Sequence, residues 1–155
     1  MTHRCLLAST TLVAVTALIL TSCTTSNGPD PAALEASAAA RVMTIPPTTP
    51  DKYKIMVDKN LIDKKGWQNP YLIIKTGGVA LLDPDNHVEH LLTPQELTQA
   101  LGNLPASAWP YGRVVAITES AVRVQGDDVL IRKNRALVNG TLDNLHVLIH
   151  YIPPA

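Results

Sequence analysis

The sequence predicts an α+β domain: a two-layer sandwich in which a small mixed sheet carries two helices on one face. Three observations predict it. Apolar residues make up 46% of the 155 residues and charged residues 17%, enough for one packed core. Four short runs rich in Val, Ile and Leu, bounded by Gly, Pro, Asp and Asn, have the length of strands. Two segments among them repeat apolar residues at helical spacing. Phe is absent and aromatics are only 4%, so the core is expected to be aliphatic.

The folded domain is expected over residues 51–155. Tyr53 to Val57 alternates weakly, as an edge strand would, and Asp58 to Asn69, with Trp67, reads as a loop or a single helical turn. Tyr71 to Lys75 and Val79 to Leu82 flank Thr76-Gly77-Gly78, a hairpin pattern. Thr93-Pro94-Gln95-Glu96 has the form of a capping box, in which Glu96 reaches back to the Thr93 amide. Pro94 suits the first helical position because no amide is needed there. Leu97, Ala100, Leu101 and Leu104 then give one apolar face, and Gly102 and Pro105 end the helix.

Arg113 to Thr118 is apolar on both faces, as a central strand is. Val122 and Val124 alternate in a short arm or extension. Asp127 and Asp128 place negative charge at the amide-rich start of a second helix. Its apolar side runs through Leu130, Ile131, Leu137, Val138, Leu142 and Leu145. Gly140 within it implies a close helix–sheet crossing, since Gly otherwise costs about 1 kcal/mol relative to Ala. His146 to Ile152 is the last strand, and its connection to 113–118 is expected to be a right-handed parallel crossover.

Ahead of this domain the chain has a different character. Met1 to Arg4 carries one positive charge, Cys5 to Leu20 is apolar or small throughout, and Leu20-Thr21-Ser22-Cys23 follows. This is the layout of a secretory signal peptide over residues 1–22. The last four residues resemble the lipobox of bacterial lipoproteins: an aliphatic residue, two small ones and a Cys. The resemblance implies cleavage before Cys23, a diacylglyceryl thioether on its sulfur and an added acyl chain such as palmitate. More than one acyl chain is what stable anchoring requires. An uncleaved anchor is the competing reading, and both put the remaining chain outside the cytoplasm. With two membranes present, Thr24 in place of Asp implies the outer membrane, facing the periplasm.

Residues 23–50 read as a lipidated Cys followed by an Ala- and Pro-rich tether. Asp30 and Pro31 suit the start of a helix over Ala32 to Arg41, which has few large side chains to bury and is expected to be marginal. Ile45-Pro46-Pro47-Thr48-Thr49-Pro50 favours extended chain. Loss of Arg4 with the leader leaves 12 basic against 13 acidic residues, a formal charge of −1. That balance gives no general attraction to nucleic acid.

The order of elements in residues 71–152 resembles the periplasmic domain of the ExbD/TolR biopolymer-transport family. Paired strands (Tyr71 to Leu82) are followed by a T-x-x-E-L helix (Thr93 to Leu104), an apolar strand (Arg113 to Thr118), a longer helix (Asp128 to Leu145) and a final strand (His146 to Ile152). The resemblance implies the fold alone. The family carries an Asp in its membrane helix, whereas the leader here has no acidic residue. Where the family often has Ala-Asp after its central strand, this chain has Thr118-Glu119-Ser120.

For chemistry, His87 and His90 flank Glu89 in an expected loop, and His146 and His150 share one face of the expected last strand. Two from each pair would give an imidazole metal site. No catalytic set is legible: Ser120 adjoins Glu119 without a nucleophile elbow, Ser107 has no partner nearby, and Asp83-Pro84-Asp85-Asn86 is ordinary turn chemistry. No cofactor is expected. Trp109, Tyr111, Arg132, Lys133 and Arg135 are residue types enriched where proteins touch; the plainer alternative is a Trp filling a Phe-less core beside a solvated helix face. The leading expectation is a lipid-anchored, non-enzymatic envelope protein that binds a partner protein. A small enzyme or metal-binding protein using the histidines, and an immunity or inhibitor lipoprotein, are the alternatives.

Overall fold

The computed structural model describes residues 28, 30–58, 66–83, 86, 88–122 and 124–153. The leader, Cys23, His87 and Asp85 lie outside the described residues. The fold is α+β, built on one mixed five-stranded sheet. Its strands are β1 (Tyr71–Lys75), β2 (Gly78–Leu82), β3 (Glu89–Leu92), β4 (Val114–Glu119) and β5 (Leu148–Tyr151), in the order β3-β2-β1-β4-β5. The β1–β2 hairpin is antiparallel, and β4 pairs parallel with both β1 and β5. Among the described residues four α-helices surround it: α1 (Pro31–Thr44), α2 (Pro50–Asp58), α3 (Leu97–Asn103) and α4 (Asp127–Asn144).

The period-2 alternation of the strands divides the core into two. Leu72, Ile74, Val79, Leu81, Val115 and Ile117 point to one face and pack with Val42 of α1, Leu97 and Leu101 of α3, and Ile131, Val138 and Leu142 of α4. The alternate residues Tyr71, Ile73, Ala80, Leu82, Val114 and Ala116 point to the other face, where Met56 of α2 and Trp67 join them. The two expected helices, α3 and α4, therefore share a face, with α1 added to it and α2 covering part of the opposite face.

Four local expectations are corrected. Residues 31–44 are a docked helix and not part of a free tether. Asp30 caps α1, accepting from the Ala32 amide at 3.1 Å, and Ala38 and Val42 are buried against α3. Small side chains let two backbones approach closely, so packing replaces the large apolar residues that α1 lacks. Residues 53–57 are helical because Thr49-Pro50-Asp51 starts a helix: the Tyr53 amide bonds the Thr49 carbonyl at 2.9 Å, and Tyr53 and Met56, three apart, face the sheet. Residues 89–92 are an edge strand and not a loop. Gly140 is exposed, and a β-carbon added there would meet no atom within 4 Å, so no tight crossing requires it.

The Pro-rich segment is extended, as expected, and it is clamped. It passes from the α1 face to the α2 face across the end of the sheet. The Arg113 amide bonds the Pro46 carbonyl at 2.9 Å, and the Thr48 hydroxyl bonds the Tyr111 carbonyl at 2.8 Å. Beneath it Asn69, buried to 3% exposure, donates to the carbonyls of Gly112 and Val114 at 2.8 Å each and accepts from the Tyr111 amide at 3.1 Å. Among the described residues no helix is long and apolar enough to cross a membrane.

Candidate functional site

The described histidines, His90, His146 and His150, do not converge. His90 sits on β3 and His150 on β5, the two opposite edges of the sheet. Four inter-strand spacings of about 4.8 Å separate them by roughly 19 Å. They also point to opposite faces. His90 pairs with Leu81, on the α4 side, and His150 pairs with Ala116, on the α2 side.

His146 is not on the strand with His150. It terminates α4 in the left-handed conformation, φ 52°. The Val147 amide bonds the Leu142 carbonyl and the His146 amide bonds the Asp143 carbonyl, both at 3.0 Å, which is a Schellman motif. Val147 and Leu142 are both buried, supplying the hydrophobic contact that accompanies it. Its local role is thus a helix stop. Among the described residues no group of three or more His, Cys, Asp or Glu side chains is placed to hold a metal ion.

His150 has an aromatic cage of its own. Its ring stacks on Trp67 with centroids 5.4 Å apart and meets Tyr53 edge-on at 5.8 Å, and the Tyr53 hydroxyl lies 2.8 Å from Nδ1. Burial holds its pKa below 6.5. This ties β5 to α2, so the imidazole works as a structural pin.

His90 lies 4.0 Å from Asp83, and both line an apolar cleft with Pro70, Leu81, Leu104 and Ala108. The cleft holds about 200 Å³. That is below the usual range for small-molecule sites, about 300–1,000 Å³. Among the described residues its lining offers no hydroxyl or thiol beside the acid–imidazole pair. Glu119 is committed to Arg135 at 2.7 Å, and the Ser120 amide bonds the Ile74 carbonyl at the end of β4.

No family model, no curated protein and no solved structure matches the chain.

The residues expected at a contact surface are distributed differently. Trp109 is 4% exposed and belongs to the helix-side core, the plainer of its two readings. Tyr111 is half-buried against the α2-side core. Arg132 is engaged by Asp128 one helical turn away at 2.5 Å, and Arg135 by Glu119. Lys133 is exposed on α4.

A run of exposed large apolar residues stands instead where β4 turns into α4. Val122, Val124, Val129 and Leu130 are 58%, 63%, 58% and 47% exposed. The turn is held in shape: the Val124 amide bonds Asp127 Oδ2 at 3.1 Å, and the Asp127 amide returns to the Val124 carbonyl at 3.2 Å. The alternating Val122 and Val124 signal part of this tip in the sequence. Leu130 is hidden there by its helical spacing, because it sits at the margin of an apolar arc whose centre, Ile131, Val138, Leu142 and Leu145, takes the burial.

Proposed function

We propose that the chain is a lipid-anchored protein of the cell envelope, held through Cys23, whose folded unit binds a partner protein through the β4–α4 tip. The basic start, apolar run and Leu20-Thr21-Ser22-Cys23 support the anchor. The tip is the observation that carries the binding. One exposed Val needs no explanation, but four large aliphatic side chains exposed within residues 122–130, on both sides of a fixed turn, are the apolar surface we assign to a partner's groove. Burying the exposed half of each is worth about 1 kcal/mol at ~25 cal/mol per Å². That total suits reversible binding, given what association itself costs. Asp127 and Asp128 beside it give the polar rim that interfaces carry.

A photo-crosslinking amino acid at Val124 tests the binding in intact cells, with one at Asp143, near the other end of α4, as control. The expected result is a discrete adduct with a second protein from position 124 only, lost when Val129→Asp is added. No protein adduct, an adduct with a second copy of this chain, or equal adducts from both positions would overturn it. The anchor is tested by mass spectrometry of the purified protein, which should show residue 23 as an acylated N-terminus.

A further inference from the structure

We propose that the trough between α1 and α4 binds a primary alkylammonium ion, with Glu35, Thr98 and Thr141 accepting its N–H groups; this goes beyond the partner-binding reading above and does not depend on it. Two helical stripes make the walls. Ala32, Glu35, Ala36 and Ala39 fall on one face of α1, and Thr141, Asn144 and Leu145 on one face of α4. The alanines have little side chain to fill the space, and a cavity of about 350 Å³ stands between the helices. That is within the usual range for small-molecule sites, about 300–1,000 Å³. A second cavity of about 230 Å³ shares Glu35, Thr98 and Thr141 with the first.

The polar groups common to both cavities are uncommitted. Thr98 of α3 is 5% exposed, and its hydroxyl has no hydrogen-bond partner among the described residues. A buried hydroxyl in that state is costly unless a molecule in the cavity bonds it. The Thr141 hydroxyl donates to the Leu137 carbonyl at 3.1 Å, so it has only lone pairs left to offer the cavity. The exposed Glu35 carboxylate makes no ion pair with a described residue. Arg41 is turned to the Gly102 carbonyl and Asn103, and Arg113 to the Leu145 carbonyl at 3.4 Å; neither lines either cavity.

Three acceptors, one of them charged, match an ammonium group, which has three donors and no acceptor. Other cations fit less well. A guanidinium brings five donors, more than this set accepts. A calcium-like ion takes about six to eight oxygen ligands, and one carboxylate with two hydroxyls falls short. A quaternary ammonium has no N–H to give and is held by aromatic faces, and the described lining of both cavities is without an aromatic residue. The alkyl chain then lies along Ala32, Ala36, Ala39 and Leu145, which shield its methylenes from water. The α1 stripe is about 10 Å long, room for a chain the length of a lysine stem.

The test is an NMR titration of the full chain, solubilised in detergent, with pentylamine as the probe. Pentylammonium should shift the amides of Glu35, Thr98 and Thr141 with a dissociation constant near or below about 1 mM, and pentanol and pentyltrimethylammonium should leave them in place. Glu35→Gln and Thr98→Val should each weaken binding roughly tenfold, and Thr98→Ser should retain it. Ala36→Leu, which fills the trough from an exposed position, should abolish binding; Ala33→Leu, exposed and lining neither cavity, should not. These two surface variants decide the matter if Thr98→Val fails to fold. Equal shifts with pentanol would reduce the trough to an apolar slot, and equal shifts with pentyltrimethylammonium would reduce the recognition to charge; either result overturns the proposal. So would the absence of shifts with pentylamine, or binding that survives both Glu35→Gln and Ala36→Leu.

Discussion

Gly102 of α3 runs so close to Ala38 of α1 that a β-carbon on Gly102 would stand 2.6 Å from the Ala38 carbonyl oxygen and 2.8 Å from its Cα. Those are backbone atoms and cannot rotate aside. The contact makes α1 part of the domain and not of the expected tether, because it allows an Ala-rich helix with few large side chains to bury against α3. Gly102→Ala should force the helices apart and destabilise the protein by about 1–3 kcal/mol, the range for overpacked cores. Chemical denaturation measures the loss, and hydrogen exchange should show the α1 amides losing protection first.

Gly140 gives the opposite sign. It lies within α4, exposed, with open space where a β-carbon would stand. Gly140→Ala should therefore stabilise by up to about 1 kcal/mol through helix propensity and a less flexible unfolded chain. An unchanged or lowered midpoint in denaturant would contradict the placement of residue 140 on the solvent side.

These two glycines show what is legible in the sequence and why. Periodicity and capping chemistry are local, so the β1–β2 hairpin, the Thr93–Glu96 cap and the β4–α4–β5 unit can all be read from it. The packing partner of a small residue is not local. Gly102 reads as a helix stop and Gly140 as a crossing, and the structure puts the close crossing at Gly102 and leaves Gly140 exposed within α4. The docking of α1 escapes the sequence for the same reason, because its neighbour α3 lies some sixty residues along the chain, and the edge strand at 89–92 is fixed by its pairing with β2 more than by its own exposed residues. Of the candidate site, Val122 and Val124 are visible as an arm, and Val129 is not, because it falls outside the apolar spacing of its helix. The histidines look convergent only if His146 lies on a strand, and the Schellman stop of α4 takes it off one.

Asn69 closes the end of the sheet by three hydrogen bonds from a buried position. Asn69→Ala leaves two carbonyls and an amide without that partner. A loss of about 3 kcal/mol is expected, since each stranded buried group costs about 1–3 and water reaches some of them. Urea unfolding checks this, with Thr48→Val, which removes only the strap's bond to the Tyr111 carbonyl, expected to lose less.

The Glu96 carboxylate accepts from the Thr93 amide at 2.8 Å and from the Thr93 hydroxyl at 2.9 Å. The amide bond, then the hydroxyl bond, hold its pKa below 4.5. A depressed carboxyl contributes stability that is fully present above its unfolded pKa and is lost as pH falls through the folded value. Carbon-detected NMR of the Glu96 carboxyl should titrate below 4.5, and Thr93→Val, which removes the hydroxyl, should move the midpoint back part of the way.

His150 should make the domain sensitive to mild acid. Its pKa is lowered by burial, with Tyr53 of α2, Trp67 and Ala116 of β4 around it. The Tyr53 hydroxyl, 2.8 Å from Nδ1, can donate to a bare Nδ1 or accept from a protonated one, so the acid sensitivity comes from burial of the charged ring. For a histidine depressed in the folded state the unfolded chain takes up the proton first. Stability is therefore intact above 6.5 and declines as pH falls from 6.5 toward the folded pKa. Melting temperatures measured from about pH 8 to pH 5 should fall over that interval, and His150→Gln should flatten the profile. Tyr53→Phe should cost about 1 kcal/mol near pH 8, the net worth of one hydrogen bond. A profile identical in wild type and His150→Gln would sink the assignment of this ring as the pin between β5 and α2.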